Sequence, residues 1–334
     1  MATPSPSRAM LWHIALVMVV LFSLQCLSLG KLHVGFYSNS CPNAESIVSS
    51  VVKEASSSDP TIPAALLRLH FHDCIVQGCD ASILIEKPDS GQPEKQARNH
   101  AGLRSLDVID RAKAQLEGEC PGVVSCADII ALAARDSVTL SQGPIYAVPT
   151  GRRDGLVSSE SDAANMPDVH ESVAVLRKKF AEKGLSEKDL VVLSGAHTIG
   201  TTACFFIERR LYNFSSGGGS DPTINPQFLP ELQSQCPNGG DVNARLPLDR
   251  GSERIFDSQI LSNIRSGFGV IESDAKLYNE ASTKVIIDSY FDSMNSISGS
   301  SFESDFAKSI VKMGKIGVLT GTEGEIRRVC SAFN

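Results

Sequence analysis

The chain has 334 residues, of which 31 are Lys or Arg and 38 are Asp or Glu, so its formal net charge is −7, and 42% of it is hydrophobic. A chain of this length buries roughly three quarters of its surface on folding, which excludes a mini-protein that depends on disulfides, and its apolar content excludes wholesale disorder. The acidic balance, without runs of Lys or Arg, excludes the electrostatic footprint of a nucleic-acid-binding protein.

Residues 1–30 differ in composition from the rest of the chain. They carry one charge, Arg8, followed by an apolar run over 11–22 and by small residues up to Gly30. The run is shorter than the roughly 20 residues that a membrane span needs, so the pattern is typical of a secretory signal peptide, with a membrane anchor as the alternative. We therefore expect cleavage near Gly30 and a secreted domain over 31–334 that no longer contacts a membrane.

The nine cysteines divide unevenly between these two parts. Cys26 lies in the expected signal peptide, which leaves eight in the mature chain. An even number in an exported protein predicts four disulfides rather than free thiols, although the spacing alone leaves the pairing open. Asn213 begins the only N-x-S/T triplet without an intervening proline, a common triplet that fits a glycosylated surface.

Helical periodicity continues along the mature chain. After Pro42, which a first helical turn tolerates, apolar residues recur at helical spacing as far as Ala55. The same periodicity predicts helices at 62–74, 104–117, 125–139, 171–183, 186–194, 200–212, 256–265, 281–294 and 301–313. Strand-like alternation is nearly absent, so we predict one all-α unit of two lobes around a central cleft.

Two local features interrupt the helical pattern. Ser186 and Asp189 resemble a capping box at the start of a short helix. The segment 213–254 is rich in Gly and Pro and is predicted to be irregular, and segments of this length are usually functional or tied down. Cys204 and Cys236 flank much of it.

Helix 62–74 carries an unusual pair of polar residues. Arg68 and His72 are four residues apart and share a helix face, whereas His70 points elsewhere. The pair fits an acid/base site that faces a cleft. A histidine buried in the core beside an arginine at a lobe boundary is the alternative, and the residues alone leave both open.

His197 lies among small residues in the segment 194–200. Small neighbours allow a large flat group to approach, which suits a metal or haem ligand, and a helix-capping histidine is the alternative. A cluster of oxygen donors lies in and beyond the loop after residue 73. Such hard oxygen ligands suit calcium. The alternative interpretation of this cluster is a solvated acidic turn. A second acidic set consists of Asp249 and Asp257, with Ser252 between them in the sequence.

Two separated motifs identify a family. The segments 67–74 (LRLHFHDC) and 78–82 (GCDAS), with the distant 193–200 (LSGAHTIG), closely resemble the secreted class III plant haem peroxidases. Further matches follow in the same order over nearly all of 31–334, at 108–110, 124–129, 151–154, 255–257 and 273–274.

The resemblance implies roles for the polar residues around a haem. His197 is the expected iron ligand and Asp274 the acceptor of its other ring proton, which makes the ligand more electron-donating. His72 is the expected base that takes a proton from hydrogen peroxide, and Arg68 stabilises the charge that develops as the O–O bond breaks.

The resemblance assigns further residues to the same pocket. Phe71 lines it, and Asn99 orients His72 through a hydrogen-bond network linked to Glu94. Pro149 and Phe206 lie at the haem edge, where Pro149 helps to receive aromatic donors. The segment 95–104 is one residue shorter than in many family members, and Tyr146 stands where the family usually has its single tryptophan.

The resemblance also implies two calcium ions and four disulfides. The expected distal ligands are Asp73, Asp80, Ser82, the carbonyls of Val76 and Gly78, and Glu94 through water. The expected proximal ligands are Thr198, Asp249, Ser252, Asp257 and the carbonyl of Ile255. The implied disulfides are Cys41–Cys120, Cys74–Cys79, Cys126–Cys330 and Cys204–Cys236.

These roles together predict a haem-dependent peroxidase fold and activity. We expect one haem b and two Ca²⁺ per monomeric chain, and one-electron oxidation of small phenolic donors by hydrogen peroxide in the apoplast or cell wall. Cell-wall phenolic coupling, peroxide removal or a stress response are the expected processes, and the short end after Cys330 makes vacuolar delivery less favoured. The alternatives are a secreted haem- and calcium-binding protein without turnover and a calcium-dependent hydrolase.

Overall fold

A computed structural model describes residues 31–292 and 301–334, so the expected signal peptide and the end of the helix expected over 281–294 lie outside the described residues. About 49% of the chain is helical and 5% is strand, which confirms the all-α prediction. The longer helices are α1 Ala44–Ser58, α2 Ile62–Val76, α3 Leu106–Glu119, α4 Cys126–Leu140, α5 Val173–Glu182 and α6 Glu187–Ser194. They are followed by α7 Glu208–Tyr212, α8 Leu229–Gln235, α9 Gln259–Arg265, α10 Glu272–Leu277, α11 Ala281–Ser289 and α12 Phe302–Met313.

The helix predicted over 200–212 is wrong in its first half. Strand β1, Thr201–Ala203, pairs antiparallel with β2, Arg245–Pro247, and the helix resumes only as α7. Gly200 has a φ of +101°, which ends the preceding turn, and two consecutive β-branched threonines favour the extended chain that follows.

The segment 213–254 is more ordered than predicted. It contains α8 and β2, and the Cys204–Cys236 disulfide ties it to the end of β1. The other three implied disulfides are also present, joining Cys41 to Cys120, Cys74 to Cys79 and Cys126 to Cys330. The capping box at Ser186 and Asp189 is confirmed.

Helix α2 lies between two large apolar cores. Its Leu66 and Leu69 pack into a core shared with α1, α3 and α4, while its Leu67 and Ile75 pack into a second core shared with α5, α6, α9 and α12. A helix that is apolar on nearly all sides has to be buried, and each fully buried leucine contributes about 1.5–3 kcal/mol. The polar side chains of α2 are therefore held on a rigid element between the two lobes.

No helix in the described parts of the chain is both long and apolar enough to cross a membrane.

Candidate active site

The polar residues of α2 separate onto two faces, as the spacing predicted. His70 lies near Cys74, with the Nδ1–Sγ distance at 3.5 Å, and burial followed by the charge of Arg152 lowers the pKa of His70 to about 3. On the other face Arg68 donates from Nη2 to the carbonyl of Ala101 at 3.1 Å. Burial lowers the pKa of Arg68 to about 10, so the guanidinium stays protonated at neutral pH.

His72 is buried and has a histidine as its partner. Its Nδ1 lies 2.8 Å from Nδ1 of His100. Burial first, and then the positive charges of Arg68 and His100, hold the pKa of His72 well below the ordinary value of 6.5. The imidazole is therefore neutral at physiological pH and able to accept a proton.

The expected contact between Asn99 and His72 is absent. Asn99 donates instead from Nδ2 to the carbonyl of Ala163 at 3.1 Å, and His100 takes the place beside His72. Two successive 3₁₀ turns, Glu94–Gln96 and Arg98–His100, direct residue 100 inward, where it is 2% exposed, while residue 99 stays half-buried. The shortened segment 95–104 was the sequence signal for this shift.

His197 follows α6 in a short 3₁₀ turn, Gly195–Thr198, and has a carboxylate as its partner. Its Nδ1 lies 2.9 Å from Oδ2 and 3.0 Å from Oδ1 of Asp274, which sits in the first turn of α10 and is 1% exposed. Burial opposes protonation, but the charge and hydrogen bond of Asp274 outweigh it and raise the pKa of His197. The side chain of His197 remains 36% exposed.

Both imidazoles leave Nε2 without a hydrogen bond to the part of the chain that the structure describes, because each is held through Nδ1. The charge of Arg68 disfavours protonation of both His72 and His197, so the guanidinium lies within electrostatic reach of each ring. The structure thus brings together one arginine and two imidazoles whose free nitrogens are available to a ligand.

Aromatic side chains lie beside His72 and beside Arg98. Phe71 is half-buried and meets the ring of His72 edge-on at a centroid distance of 5.9 Å. Phe206 packs edge-on against Phe205, which is 43% exposed and carries the guanidinium of Arg98 at 5.5 Å from its centroid. The Arg98–Phe205 pair was not predicted from the sequence.

A half-buried proline, Pro149, follows α4 and lines a small cavity with His70 and Arg152. The carbonyl of Pro149 accepts a hydrogen bond from Nη1 of Arg152 at 2.9 Å, which fixes the backbone of this expected donor-contacting residue.

The expected distal calcium ligands form a buried acidic cluster. Neither carboxylate oxygen of Asp73 accepts a well-formed hydrogen bond, and burial followed by the charges of Asp80 and Glu94 raises the pKa of Asp73 well above its usual value. Ser82 links the other two members, since its amide donates to Oδ1 of Asp80 at 3.0 Å and its hydroxyl to Oε2 of Glu94 at 2.8 Å. An orphaned buried carboxylate of this kind fits a cation.

The two expected carbonyl ligands at this cluster already accept hydrogen bonds. The Val76 carbonyl accepts one from Nζ of Lys183 at 2.5 Å, and the Gly78 carbonyl accepts one from the amide of Asp80 at 2.8 Å. Each carbonyl oxygen keeps a second lone pair.

The expected proximal ligands converge more tightly. The Thr198 hydroxyl lies 2.9 Å from Asp249, 3.3 Å from Asp257 and 3.3 Å from the carbonyl of Ile255. The Ser252 hydroxyl lies 3.0 Å and 3.2 Å from the same two carboxylates. Asn263 also donates from Nδ2 to Oδ1 of Asp249 at 2.5 Å, and the amide of Gln259 donates to Oδ1 of Asp257 at 2.8 Å. Burial, with a smaller contribution from Asp257, raises the pKa of Asp249 to about 6.

Neither cluster is a site of the kind built from His, Cys and carboxylates alone. Among residues 31–292 and 301–334, no three or more such side chains are arranged to hold a metal. Each cluster combines carboxylates with hydroxyls and carbonyls, which are the ligands of a hard cation.

Comparison with known proteins decides the family. A family profile described as Peroxidase matches residues 48–293. Peroxidase 43 of Arabidopsis thaliana is 61% identical over 308 residues, which cover 92% of this chain and 94% of that protein. Peroxidase 13 of the same plant is 55% identical, covering 96% and 99% of the two chains, and Peroxidase N1 of Nicotiana tabacum is 52% identical, covering 90% of each.

The chain belongs to the class III plant peroxidases. It is an enzyme of the peroxidase class, which oxidises phenolic donors with hydrogen peroxide, and the family implies a haem cofactor. The residues present fit such a group, because the two imidazoles are anchored through Nδ1 and their Nε2 atoms have no partner among the described residues. Within this peroxidase the clearest difference from expectation is that His100, and not Asn99, contacts His72.

Proposed function

We propose that this peroxidase holds haem b through Nε2 of His197 and oxidises small phenolic donors one electron at a time. The observation that carries this proposal is the pair of imidazoles, each fixed through Nδ1 and each within reach of Arg68. Haem held there would supply the two-electron reduction of the peroxide and the subsequent one-electron oxidation of two donor molecules.

The distal residues handle the protons of hydrogen peroxide. His72 is neutral, so its Nε2 accepts a proton from the bound peroxide and returns it to the oxygen that leaves as water. Arg68 stabilises the negative charge that develops on that oxygen. Phe71 would line the same space, with its ring edge-on to that of His72.

The proximal residues set the electron density of the iron ligand. Asp274 accepts the Nδ1 hydrogen of His197 through two close oxygens, which gives the imidazole partial anionic character. A more electron-donating ligand favours the oxidised states of the metal.

Two calcium ions would complete the acidic clusters. The distal ion would bind Asp73, Asp80 and Ser82, with Glu94 through water, and the orphaned oxygens of Asp73 support it. The proximal ion would bind Thr198, Asp249, Ser252, Asp257 and the Ile255 carbonyl, and the convergence of the two carboxylates and the carbonyl on the Thr198 hydroxyl supports it. Asp73 follows His72 and Thr198 follows His197 directly, so each ion would fix the backbone at one histidine.

Donors would meet the haem edge near Pro149 and Phe206. The expected signal peptide, the four disulfides and the exposed acceptor Asn213 support secretion to the cell wall as a monomeric glycoprotein. Phenolic coupling in the wall, peroxide removal or a stress response are the processes that such an activity serves.

The test is haem content and donor oxidation in the purified chain and in His197→Ala. We expect one Soret-absorbing haem per wild-type chain, peroxide-dependent oxidation of a phenol panel, and loss of haem in the variant. His33→Ala, at an exposed histidine, is the matched control and should keep its haem. A normal Soret band in His197→Ala would contradict the ligand assignment, and haem without turnover in the wild type would indicate a binding protein.

A further inference from the structure

Arg68 is one of three arginines that meet beside the first turns of α2. Arg104 donates from Nη2 to the carbonyl of Thr61, the residue before α2, at 2.9 Å. Arg245, the first residue of β2, donates from Nε and Nη2 to the hydroxyl and the carbonyl of Thr201, each at 2.8 Å. The three side chains therefore come from α2, from the loop before α3 and from the small sheet.

The segments that carry these arginines lie against one face of α2. A Cβ at Gly200 would come within 2.7 Å of that of Ala64, so the chain that leads into β1 packs directly on the first turn of the helix. A Cβ at Gly102 would face Nη1 of Arg68 at 3.9 Å, and Arg68 bonds the carbonyl of the preceding Ala101. Ala64 and Arg68 are four residues apart and share a helix face. The loop before α3 and the start of β1 thus meet at the same face.

The cluster carries more positive than negative charge. Asp59, 3.4 Å from Nη1 of Arg104, is the only carboxylate in an ion pair with any of the three arginines among residues 31–292 and 301–334. Burial first, and then Arg245 and Arg104, lower the pKa of Arg68 to about 10, and burial followed by Arg104 lowers the pKa of Arg245. The guanidiniums therefore repel one another, in a chain whose formal net charge is −7.

Like charges that are held together with too few counter-ions favour an anionic ligand. Arg68 and Arg245 donate to neutral carbonyl and hydroxyl oxygens, and a guanidinium has five N–H donors, so hydrogens remain for a further acceptor. Arg245 is exposed and Arg104 half-buried, so a ligand can reach both. A carboxylate suits such a site, because it accepts two parallel hydrogen bonds from one guanidinium.

We infer that Arg104 and Arg245 complete, with Arg68, a binding site for a carboxylate group beside the first turns of α2. The inference rests on the proposed function, which brings carboxylates from two sources: the two propionate groups of haem b and an acidic phenolic donor. The haem carboxylates are the source that we expect, because the charge of Arg68 reaches both His72 and His197, between which the haem would bind.

The first test measures carboxylate recognition without iron. The full chain without haem is titrated with protoporphyrin IX and with its dimethyl ester, in which both carboxylates are masked, and binding is followed by porphyrin fluorescence. We expect the wild type to bind the free acid about 10-fold more tightly or better, and Arg245→Gln to lose most of this preference. Arg245→Lys keeps the charge and should retain part of it.

The matched control is Arg328→Gln, because Arg328 is exposed and makes no ion pair within the described residues. Its preference for the free acid should equal that of the wild type. Arg104→Gln tests the second arginine, and its preference should also fall.

The second test uses the haem-replete enzyme and asks whether a donor carboxylate binds here instead. The ratio of kcat/KM for 4-hydroxycinnamate to kcat/KM for its methyl ester is compared between the wild type and Arg245→Gln. If the haem carboxylates occupy the site, this ratio is unchanged while the porphyrin preference falls. If the donor occupies it, the ratio falls about 10-fold and the porphyrin preference is unchanged.

Two results would overturn the inference. One is an Arg245→Gln variant that changes neither the porphyrin preference nor the donor ratio, and the other is an equal change in Arg328→Gln. If Arg245→Gln failed to fold, a wild type that treats each acid and its ester alike would overturn it as well, whereas a preference for the acid that falls with added salt would support it.

The failure of the proposed function gives a different result. Metal-free protoporphyrin needs no iron ligand, so its binding does not depend on His197 as a ligand. A wild type that binds haem without ligation by His197, or without turnover, would overturn the proposed function, and the porphyrin preference would still decide the role of Arg245.

Discussion

The distal and proximal histidines have the same side chain and opposite titration behaviour. Burial disfavours the charged form of both, yet the pKa of His72 is lowered and that of His197 is raised. The difference lies at Nδ1, where His72 meets the imidazole of His100 and His197 meets the carboxylate of Asp274 directly. A carboxylate in direct contact with an imidazole stabilises its charged form, whereas a neighbouring imidazole does not.

The largest effect is expected when the distal histidine, His72, is replaced. In His72→Leu the proton acceptor is lost while the His197–Asp274 pair is intact, so haem should remain bound. The rate of reaction with hydrogen peroxide should fall by about 10²–10⁴-fold, measured by stopped-flow absorbance. Wild-type rates in this variant would contradict the role of His72 as base.

A smaller effect is expected when the proximal carboxylate loses its charge. Asp274→Asn keeps a hydrogen-bond acceptor for Nδ1 but removes the negative charge, so the iron potential should become more positive and activity should fall by about 10–100-fold. Spectroelectrochemistry measures the potential. The control is Asp288→Asn, because Asp288 pairs with Arg265 and is not among the expected site residues. An unchanged potential in Asp274→Asn would show that the charge is not transmitted through His197.

Calcium removal should lower the stability of the fold and disturb the backbone at both His72 and His197. At a free calcium concentration 100 times the dissociation constant, each ion stabilises the fold by about 2.7 kcal/mol, which chelation would remove. We expect a lower melting temperature and an altered Soret band. Asp249→Asn should reproduce the proximal part of this change and Asp80→Asn the distal part. A melting temperature that is insensitive to verified metal removal would contradict the two-ion proposal.

The smallest expected effect concerns Glu272, the first residue of helix α10. Burial opposes ionisation of Glu272, but Lys276, His170 and Arg209 lower its pKa from 4.5. A lowered folded-state pKa contributes stability above pH 4.5, and this stability is lost as the pH falls through the lower value.

The corresponding measurement follows unfolding by denaturant across pH. Glu272→Gln should be less stable than the wild type at neutral pH, and the gap should narrow below pH 4.5. The exposed Glu231, paired with Arg250, provides the control variant Glu231→Gln, which should show little change. A stability difference between the two proteins that widens in acid would contradict a lowered pKa of Glu272.

The sequence predicts the helices well where one face is apolar over several turns, as in α1 and α12. It fails over 200–212, because a pairing with residues 42–46 positions away converts the start of that segment into a strand, and periodicity does not register a distant partner. The motifs likewise predict His72 and His197 directly.

The site was harder to predict where the contact depends on a loop. Asn99 and His100 are adjacent, and which of them faces His72 is set by two 3₁₀ turns and the buried position of Glu94. No periodic pattern spans so short a segment. The Arg98–Phe205 stacking joins two such loops and has no local signal either.

The Cys126–Cys330 disulfide has a consequence for how the chain is made. Cys126 opens α4, and its partner follows 204 residues later. At about 5–20 residues per second, translation keeps this thiol waiting on the order of 10–40 s, while the partners of the earlier cysteines emerge sooner. Arg327, which is buried and bonds the carbonyls of Ala81 and Gly155, arrives equally late. The lobe that is synthesised first is therefore among the last to be closed.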